Sequence, residues 1–273
     1  MPELPEVEIV RRSLEPHMVG SRVVAVDAKP VRLREGIRPR DWERRIVGDR
    51  VTALERRGKY LIAKGERAAA LFHLGMSGRM VVRRPSDPRA PHTHLVLTFD
   101  HGGEVRFIDP RRFGVAAVVA LGRLASHPAL ARLGPDPLGG DAGDALAAAR
   151  TSRSPIRSIL LDQTVLAGVG NIYANEALAR AGISPLRRAS AISEARLAAL
   201  AGALREVLTE ALDVGGTTLR DGGFVNADGD GGYFALRLSV YGREGEACGR
   251  CGGAIVRRVL TGRSVFYCPR CQR

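Results

Sequence analysis

The stretch 248-CGRCGGAIVRRVLTGRSVFYCPRC-271 contains all four cysteines of the chain, as two CxxC pairs separated by sixteen residues. This spacing lets four thiolates reach one tetrahedral zinc ion, and the ligands would be Cys248, Cys251, Cys268 and Cys271. Two disulfides are disfavoured because the sequence shows no secretory signal, and a redox CxxC needs only one pair. We therefore predict one structural zinc ion, because four thiolates leave no coordination position for water.

The segment around these cysteines is strongly basic. From Arg237 to the C-terminus there are eight arginines and two acidic residues. A zinc finger with this charge is typical of proteins that contact a polyanion. A zinc ribbon that binds another protein is the alternative that this signal alone leaves open.

The whole chain has the same charge bias. Its 273 residues include 42 Lys plus Arg against 29 Asp plus Glu, a formal net charge of +13. Only Lys29, Lys59 and Lys64 are lysines. Arginine stays protonated at any working pH and binds phosphate through two parallel hydrogen bonds, which favours a polyanionic partner. A GC-rich genome would explain arginine in place of lysine, but it would not explain the excess of positive charge.

Hydrophobic patterning divides the chain near its middle. Apolar residues recur at helical spacing in 7–18, and short β-rich segments then continue to about Leu121. Among these segments, residues 97–107 (LTFDHGGEVRF) are typical of a hairpin. A Gly-, Pro- and Asp-rich stretch at 133–144 marks a boundary, and Ala- and Leu-rich helical segments follow it. The length and the 45% of hydrophobic residues predict roughly two domains with sizeable cores.

No segment has the pattern of a membrane span or a secretory signal. The longest apolar stretch, Val115 to Leu121, is far shorter than the ~18 residues that cross a bilayer. We therefore expect a cytoplasmic protein without a membrane partner.

A second pattern of interest is GVGN at residues 168–171. Gly168 and Gly170 flank a turn before a predicted helix that Asn171 could cap. Backbone amides and a helix N-terminus would then face outward together, in a geometry that binds phosphate. Two glycines around one residue also occur in ordinary turns between helices, so this pattern alone leaves both interpretations open.

The N-terminal stretch MPELPEVE, residues 1–8, contains two prolines and three glutamates. Pro2 is small enough for Met1 to be trimmed, which would expose a secondary amine beside Glu3. An N-terminal amine has a reference pKa of ~7.7–8.0, so it can act as a nucleophile near neutral pH. The simpler alternative is an acid-rich first turn of a helix, which the helix macrodipole favours.

Seven stretches, in the same order, resemble the formamidopyrimidine-DNA glycosylases. They are PELPEVE (2–8), RRGKYL (56–61), HLGMSG (73–78), DPRRFG (109–114), GVGNIYANE (168–176), YGREGEAC (241–248) and TGRSVFYCPRCQ (261–272). The resemblance covers nearly the whole chain and implies an α+β fold. An N-terminal catalytic β-sandwich domain with an N-terminal helix would occupy 1–133, a helical domain with a helix-two-turn-helix unit 134–236, and the zinc finger 237–273. Damaged duplex DNA would lie in the cleft between the domains.

The resemblance implies a bifunctional DNA glycosylase and abasic-site lyase with Pro2 as its nucleophile. The proline nitrogen would attack the sugar carbon that bears the damaged base, and the resulting iminium would promote β- and then δ-elimination of the phosphates. Glu3 would bring the proton to the sugar ring oxygen, and Glu6 would orient the amine. Lys59 and Arg263 would be cations at the phosphates around the lesion. On its own, Lys59 would be interpreted as a solvated strand lysine.

The same resemblance assigns residues that fill the space left by an everted base. Met76 and Phe113 would wedge between bases while Arg111 meets the acceptors of the unpaired partner base. Cytosine presents two such acceptors, which favours lesions derived from guanine. In isolation, the two apolar residues would be interpreted as core residues. Asn171, with Arg263, would hold the flanking phosphates. The other DNA-binding residues assigned in this way are His92, Arg157 and Arg220.

Two stretches depart from the family pattern. Arg157 stands where the family commonly has lysine, which keeps the charge and changes the geometry. Gly222 and Gly223 separate Asp221 from Phe224 in the segment that would cover the everted base. Additional glycine raises the entropy cost of ordering that segment. The preference of the protein for particular damaged bases is therefore expected to depend most on this segment.

The expected substrates are oxidised purines in double-stranded DNA, chiefly 8-oxoguanine opposite cytosine and ring-opened formamidopyrimidines, and the expected enzyme is a monomer. Leu4 favours this branch, since the related endonuclease VIII branch usually begins PEGPE. One alternative is a glycosylase for oxidised pyrimidines. Another is a noncatalytic zinc-ribbon protein that binds DNA through the same basic surface, which leaves PELPE unexplained.

Overall fold

The computed structural model describes residues 2–218 and 224–273, which divide into two compact units. The first unit contains residues 2–131 and the described part of 215–233, and the second contains 132–214 and 234–273. The helices of the first unit are α1 (Leu4–Met18), α2 (Pro39–Ile46) and α3 (Pro128–Ala131). Its strands are β1 (Val23–Ala28), β2 (Val51–Arg57), β3 (Tyr60–Gly65), β4 (Ala68–His73), β5 (Arg79–Arg83), β6 (Thr93–Phe99), β7 (Glu104–Ile108) and β8 (Val115–Ala120).

These strands form two four-stranded antiparallel sheets in the first unit. The strand orders are β1-β6-β7-β5 and β2-β3-β4-β8. Phe72 on β4 and Phe107 on β7 belong to one buried cluster, and their ring centroids are 6.0 Å apart, so the sheets face each other across a shared core. Strands β6 and β7 pair antiparallel, which confirms the predicted hairpin at 97–107.

Helix α1 begins with a reciprocal cap. The Glu3 side chain accepts a hydrogen bond from the backbone of Glu6, and the Glu6 side chain accepts one from the backbone of Glu3. Pro5 lies in the first turn, where a missing N–H removes no intrahelical bond. The apolar face of α1 is buried, as its helical spacing predicts; its residues include Val7, Val10, Leu14 and Met18.

Helix α2 interrupts the region that the sequence pattern describes as β-rich. Pro39 is in its first turn, and Trp42 and Ile46, one helical turn apart, are buried. The Trp42 ring lies 5.7 Å from that of Phe72. The helix therefore forms because a short amphipathic segment can cover one of the sheets.

The second unit is helical and ends in a two-stranded finger. Its helices are α4 (Ala142–Ala148), α5 (Ile156–Leu161), α6 (Asn171–Arg180) and α7 (Glu194–Asp213), and its strands are β9 (Val256–Leu260) and β10 (Arg263–Tyr267). Ser193 caps α7 by accepting a hydrogen bond from Arg196 N. The predicted α+β class is confirmed. Among the described residues, no helix combines the length and apolar character that crossing a bilayer requires.

Candidate active site and nucleic-acid interface

Pro2, Glu3 and Glu6 lie together at the start of α1, and all three are buried. Glu6 Oε2 accepts a 2.8 Å hydrogen bond from Glu3 N, and Glu6 Oε1 accepts one of 2.8 Å from Thr217 N. Glu6 therefore fixes the backbone that follows Pro2 to the segment that follows α7. The acid-rich first turn that the sequence suggests is present, and its two glutamates form the N-terminal cap of α1. The same cap places two carboxyl groups near the start of the chain, as the nucleophile hypothesis requires.

Lys59 occupies the turn between β2 and β3 and is half-buried. Burial, and then the positive charges of Arg34 and Lys59, lower the pKa of the nearby His73 to about 3. Gly75 N donates a 2.9 Å hydrogen bond to His73 Nδ1. The ring is therefore neutral at pH 7 with its proton on Nε2, a donor suited to a phosphate oxygen. Sequence reasoning missed His73, although it is the first residue of the HLGMSG stretch.

Met76, Arg111 and Phe113 lie on two loops of the first unit that contact each other. Met76 is 39% and Phe113 42% exposed, so the interpretation of both as core residues is wrong. The Arg111 guanidinium lies 5.0 Å from the centre of the Phe113 ring, a cation–π arrangement. A Cβ on Gly75 would come within 2.6 Å of the Phe113 backbone carbon, which explains the glycine beside Met76. Two large apolar side chains and one guanidinium are thus presented outward together.

His92 is exposed and has φ of 63°, a left-handed conformation uncommon for residues with a Cβ. Its carbonyl accepts a 3.1 Å hydrogen bond from Asp109 N, and its ring lies 6.4 Å from that of His94. The structure therefore joins His92 to the loop that contains Arg111 and Phe113.

Arg157, Asn171 and Arg263 come together in the second unit, at the hairpin of β9 and β10. Arg157 Nη2 donates a 2.7 Å hydrogen bond to Asn171 Oδ1, and Nη1 donates one of 3.1 Å to Leu260 O. Asn171 Nδ2 donates a 3.0 Å bond to Ser264 O, next to Arg263 at the start of β10. One polar network therefore links α5 and α6 to the finger hairpin.

The predicted cap of α6 is wrong. The N-cap residue is Gly170, and Asn171 is the first helical residue. The Asn171 side chain makes no cap because Arg157 and the finger hairpin engage it instead. Gly168 has φ of 102°, and its N–H donates to the side chain of Gln163, so the GVGN turn is held from within the second unit.

Arg157 is fully buried and lies close enough to Arg263 for their charges to interact. Burial, and then the Arg263 charge, lower the pKa of Arg157. Its Nε has no hydrogen-bond partner among the residues that the structure describes. Two neighbouring guanidinium groups repel each other unless an anion lies close by, so this corner favours a bound phosphate.

The predicted contact Arg220 and the Asp221, Gly222 and Gly223 departure lie outside the described residues.

The four cysteines form one cluster, with the Sγ atoms of Cys248, Cys251, Cys268 and Cys271 all within 4.8 Å of one another. The Cys251 and Cys268 sulfurs are 3.5 Å apart, and those of Cys248 and Cys271 are 3.9 Å apart. Zinc–sulfur bonds of ~2.3 Å in a tetrahedron place the sulfurs ~3.8 Å apart, so the cluster fits this ion. The backbone amides of Arg250 and Cys251 help to lower the pKa of Cys248 to about 7, whereas hydrogen bonding to the neighbouring sulfurs, Cys251 first, raises the pKa of Cys271 to about 12. The fit to zinc therefore rests on the sulfur–sulfur distances.

Sequence reasoning missed two residues that attach the finger to α6. Asn175 Oδ1 accepts a 2.8 Å hydrogen bond from Phe266 N on β10. The Glu176 carboxylate accepts three, from the backbone amides of residues 239, 240 and 241. Both side chains are buried, and both belong to the GVGNIYANE stretch. Their polarity alone would place them on the solvent face of α6, so no local sequence signal reveals this buried role.

Three family models match successive parts of the chain. A family model described as "Formamidopyrimidine-DNA glycosylase N-terminal domain" matches residues 1–116. The "Formamidopyrimidine-DNA glycosylase H2TH domain" matches 133–222, and the "Zinc finger found in FPG and IleRS" matches 245–273. These three matches fall on the N-terminal carboxylates and exposed loops, the α5–α6 corner and the cysteine cluster, respectively.

Similar proteins cover the full length of the chain. Formamidopyrimidine-DNA glycosylases of Sphingopyxis alaskensis and Dinoroseobacter shibae are 50% and 46% identical to it, and each alignment covers 100% of both chains. A Lactococcus lactis FPG mutant in complex with a Fapy-dG-containing DNA is 32% identical, with a TM-score of 0.91 and complete coverage of both chains. MutM (Fpg) from Thermus thermophilus is 41% identical with a TM-score of 0.88, and the match covers 99% of this chain and 98% of that one. Since sequence, fold and cysteine cluster agree over the whole length, this chain belongs to the formamidopyrimidine-DNA glycosylase family.

Proposed function

We propose that this chain is a base-excision repair enzyme that removes oxidised purines from duplex DNA and then cleaves the strand at the resulting abasic site. The single observation on which the activity rests is the buried group of Pro2, Glu3 and Glu6 at the start of α1. Formamidopyrimidine-DNA glycosylases are its full-length relatives, and a similar FPG structure holds Fapy-dG-containing DNA.

The chemistry begins when removal of Met1 gives Pro2 a free secondary amine. The nitrogen lone pair forms a bond to C1′ of the damaged nucleotide, and the electrons of the N-glycosidic bond leave with the base. The attached nitrogen loses its N–H proton, which neutralises the departing base. Its lone pair then forms a double bond to C1′ as the C1′–O4′ bond opens, which gives an iminium, and Glu3 delivers the proton that the ring oxygen takes up. Glu6 holds the backbone of Glu3 in place through the 2.8 Å hydrogen bond.

The iminium then withdraws electrons from the neighbouring sugar carbon and makes its hydrogen acidic. Loss of that proton expels the 3′ phosphate, and a second elimination expels the 5′ phosphate. Base removal and strand cleavage share one covalent intermediate, so no second active site is needed.

DNA binding is assigned to two groups of residues. In the first unit, Lys59 would meet a phosphate while Met76, Arg111 and Phe113 would fill the space of the everted base and His92 would contact the duplex. In the second unit, Asn171 and Arg263 would hold phosphates at the finger hairpin. Arg157 is fully buried, so it would act through its hydrogen bond to Asn171 rather than contact DNA directly. Zinc, held by the four cysteines, would fix the fold of that hairpin. We further propose a monomer, with catalytic, helix-two-turn-helix and finger functions assigned to 1–133, 134–236 and 237–273. The described part of 215–233 belongs to the first compact unit and would serve the catalytic part.

The test is incubation of the zinc-loaded protein, processed to begin at Pro2, with a duplex that contains 8-oxoguanine opposite cytosine. We expect strand cleavage, and borohydride added during the reaction should trap a covalent complex whose linkage maps to the Pro2 nitrogen. A matched variant that retains Met1 should bind the same duplex without cutting or trapping. A duplex shift without cleavage would establish the noncatalytic alternative, and cleavage of oxidised pyrimidines alone would establish the pyrimidine one.

A further inference from the structure

We propose that Asp109, acting with Ser77, is the positioning residue that sets the register of Met76, Arg111 and Phe113 against DNA, and thereby the choice of the base opposite the lesion. The inference rests on the proposed function, because it assigns a control point to the same interface. Asp109 is not expected to touch the DNA itself, since it is fully buried.

The Asp109 carboxylate joins two loops. Its Oδ1 accepts a 2.7 Å hydrogen bond from the hydroxyl of Ser77, which follows Met76 on the loop between β4 and β5. Its Oδ2 accepts a 2.8 Å bond from Gly114 N, at the far end of the loop between β7 and β8. Oδ1 therefore fixes the loop that contains Met76, and Oδ2 fixes the loop that contains Phe113.

Ser77 extends this link to the arginine. Its Oγ accepts a 3.2 Å hydrogen bond from Arg111 N while its proton is donated to Asp109. The backbone of Asp109 adds further bonds, because its carbonyl accepts from Arg112 N at 3.3 Å. Arg112 has φ of 58°, a conformation that residues with a Cβ seldom adopt without such support.

The two loops are also in close backbone contact. Gly75 has φ of 61°, and a Cβ there would lie 2.7 Å from Gly114 N. A Cβ on Gly114 would lie 2.7 Å from His73 O and 3.0 Å from Asp109 Oδ2. Strand pairing already joins the ends of the two loops, through His73 with Val115 and Arg79 with Ile108. Between these pairs side chains are excluded from the junction, so the hydrogen bonds to Asp109 align the loop tips.

Loss of one carboxylate oxygen should therefore loosen the exposed side chains without unfolding the sheets. In Asp109→Asn the amide has only one acceptor oxygen. If that oxygen accepts from Gly114 N, the –NH₂ group donates to Ser77 Oγ, whose own proton must turn away and which must then accept this bond beside the one from Arg111 N. If the oxygen accepts from Ser77 instead, the –NH₂ group faces Gly114 N and that donor loses its partner. Arg111 would then meet the opposite base in several orientations, and discrimination among bases would fall by about tenfold.

The experiment measures insertion directly, with 2-aminopurine placed opposite a tetrahydrofuran abasic analogue, a duplex that needs no chemistry. At saturating zinc-loaded protein, we expect a fluorescence rise for the unaltered chain and a clearly smaller rise for Asp109→Asn and Ser77→Ala. Ser77→Thr, which keeps the hydroxyl, should restore the signal. The matched control is Asp100→Asn, since Asp100 is an exposed aspartate of the same unit that accepts from Arg22 N.

A second measurement compares excision of 8-oxoguanine opposite each of the four bases with cleavage at a preformed abasic site. We expect Asp109→Asn to flatten the opposite-base ratio while it keeps abasic-site cleavage within about threefold of the unaltered chain, and Ser77→Ala to do the same more weakly. A fluorescence rise of normal size and an unchanged ratio in both variants would overturn the inference. Equal loss of insertion, cleavage and thermal stability would make Asp109 merely structural. If the unaltered chain cut nothing, the proposed function would fail, and the fluorescence arm would still decide the role of Asp109.

Discussion

Replacement of Glu176 by glutamine tests whether one buried carboxylate holds the segment that leads into the zinc finger. Glu176 lies on α6 and is 4% exposed. Its Oε2 accepts from Ser239 N at 2.7 Å, and its Oε1 accepts from Val240 N at 3.0 Å and from Tyr241 N at 2.8 Å. Glutamine has one acceptor oxygen, so its –NH₂ group must face at least one backbone N–H.

The expected loss follows from these three contacts. A hydrogen bond to a charged group contributes ~1.5–3 kcal/mol, and the variant replaces one such bond by a donor–donor contact and weakens the other two. Local opening of residues 239–241 should therefore become easier by about 2–3 kcal/mol, which corresponds to roughly 30- to 150-fold faster amide exchange there.

The assay is native-state hydrogen exchange on the zinc-loaded protein, followed for peptides that contain residues 239–241. The matched control is Glu194→Gln on α7, because Glu194 has a 72% exposed side chain that pairs only at the surface with Arg150. We expect the control to exchange like the unaltered chain. Exchange at 239–241 that is equally slow in Glu176→Gln would refute the reasoning, since the three hydrogen bonds would then contribute nothing to docking.

Four further predictions concern zinc, base choice, salt and pH. Cys248→Ser should lower zinc content and DNA affinity together, measured by metal analysis and binding titration. Zinc loss with normal DNA affinity would show that the finger does not contribute to DNA binding. Arg111→Ala should relax opposite-base discrimination while it leaves affinity for undamaged DNA largely unchanged; an equal loss opposite all four bases would contradict this. If about six phosphates are neutralised, log affinity should fall against log salt with a slope of about −5, and a nearly flat dependence would exclude DNA. The pKa of His73 is lowered to about 3 by burial, Arg34 and Lys59. Between pH ~6.5 and 3 the His73 ring is therefore protonated in the unfolded state and neutral in the folded state. The contribution of His73 to the free energy of unfolding is complete above this range and decreases as the pH falls through it. Urea unfolding should show about 2 kcal/mol more loss from pH 7 to pH 5 in the unaltered chain than in His73→Asn, and equal losses would show that His73 is not buried neutral.

Much of the fold was predictable because it depends on local patterns. The helical spacing of α1, the hairpin of β6 and β7 and the cysteine spacing each have a direct physical consequence that the structure confirms. Helix α2 was missed because a single helical turn of apolar residues, Trp42 and Ile46, is too short a period to detect within β-rich sequence.

The exposed side chains at the interface show a different limit of sequence reasoning. Met76 and Phe113 are apolar, and hydrophobicity alone assigns them to the core. They are exposed because the glycines beside them allow two backbones to meet, and because Asp109 binds both loops. No local pattern connects Asp109 to Ser77, since 32 residues separate them. Only the resemblance to a family could assign these residues before the structure placed them.

The attachment of the finger to α6 also depends on contacts between residues that are distant in the sequence. Cysteine spacing specifies a local zinc fold, yet it does not specify where that fold docks. Docking depends on Asn175 and Glu176, two adjacent polar residues of α6 that would ordinarily be assigned to the solvent face of a helix. They are buried because backbone amides of residues 239–241 and 266, 63 or more positions further along the chain, satisfy them. Loss of zinc should therefore unfold the finger, whereas loss of the Glu176 carboxylate should leave it folded and weaken its attachment to α6.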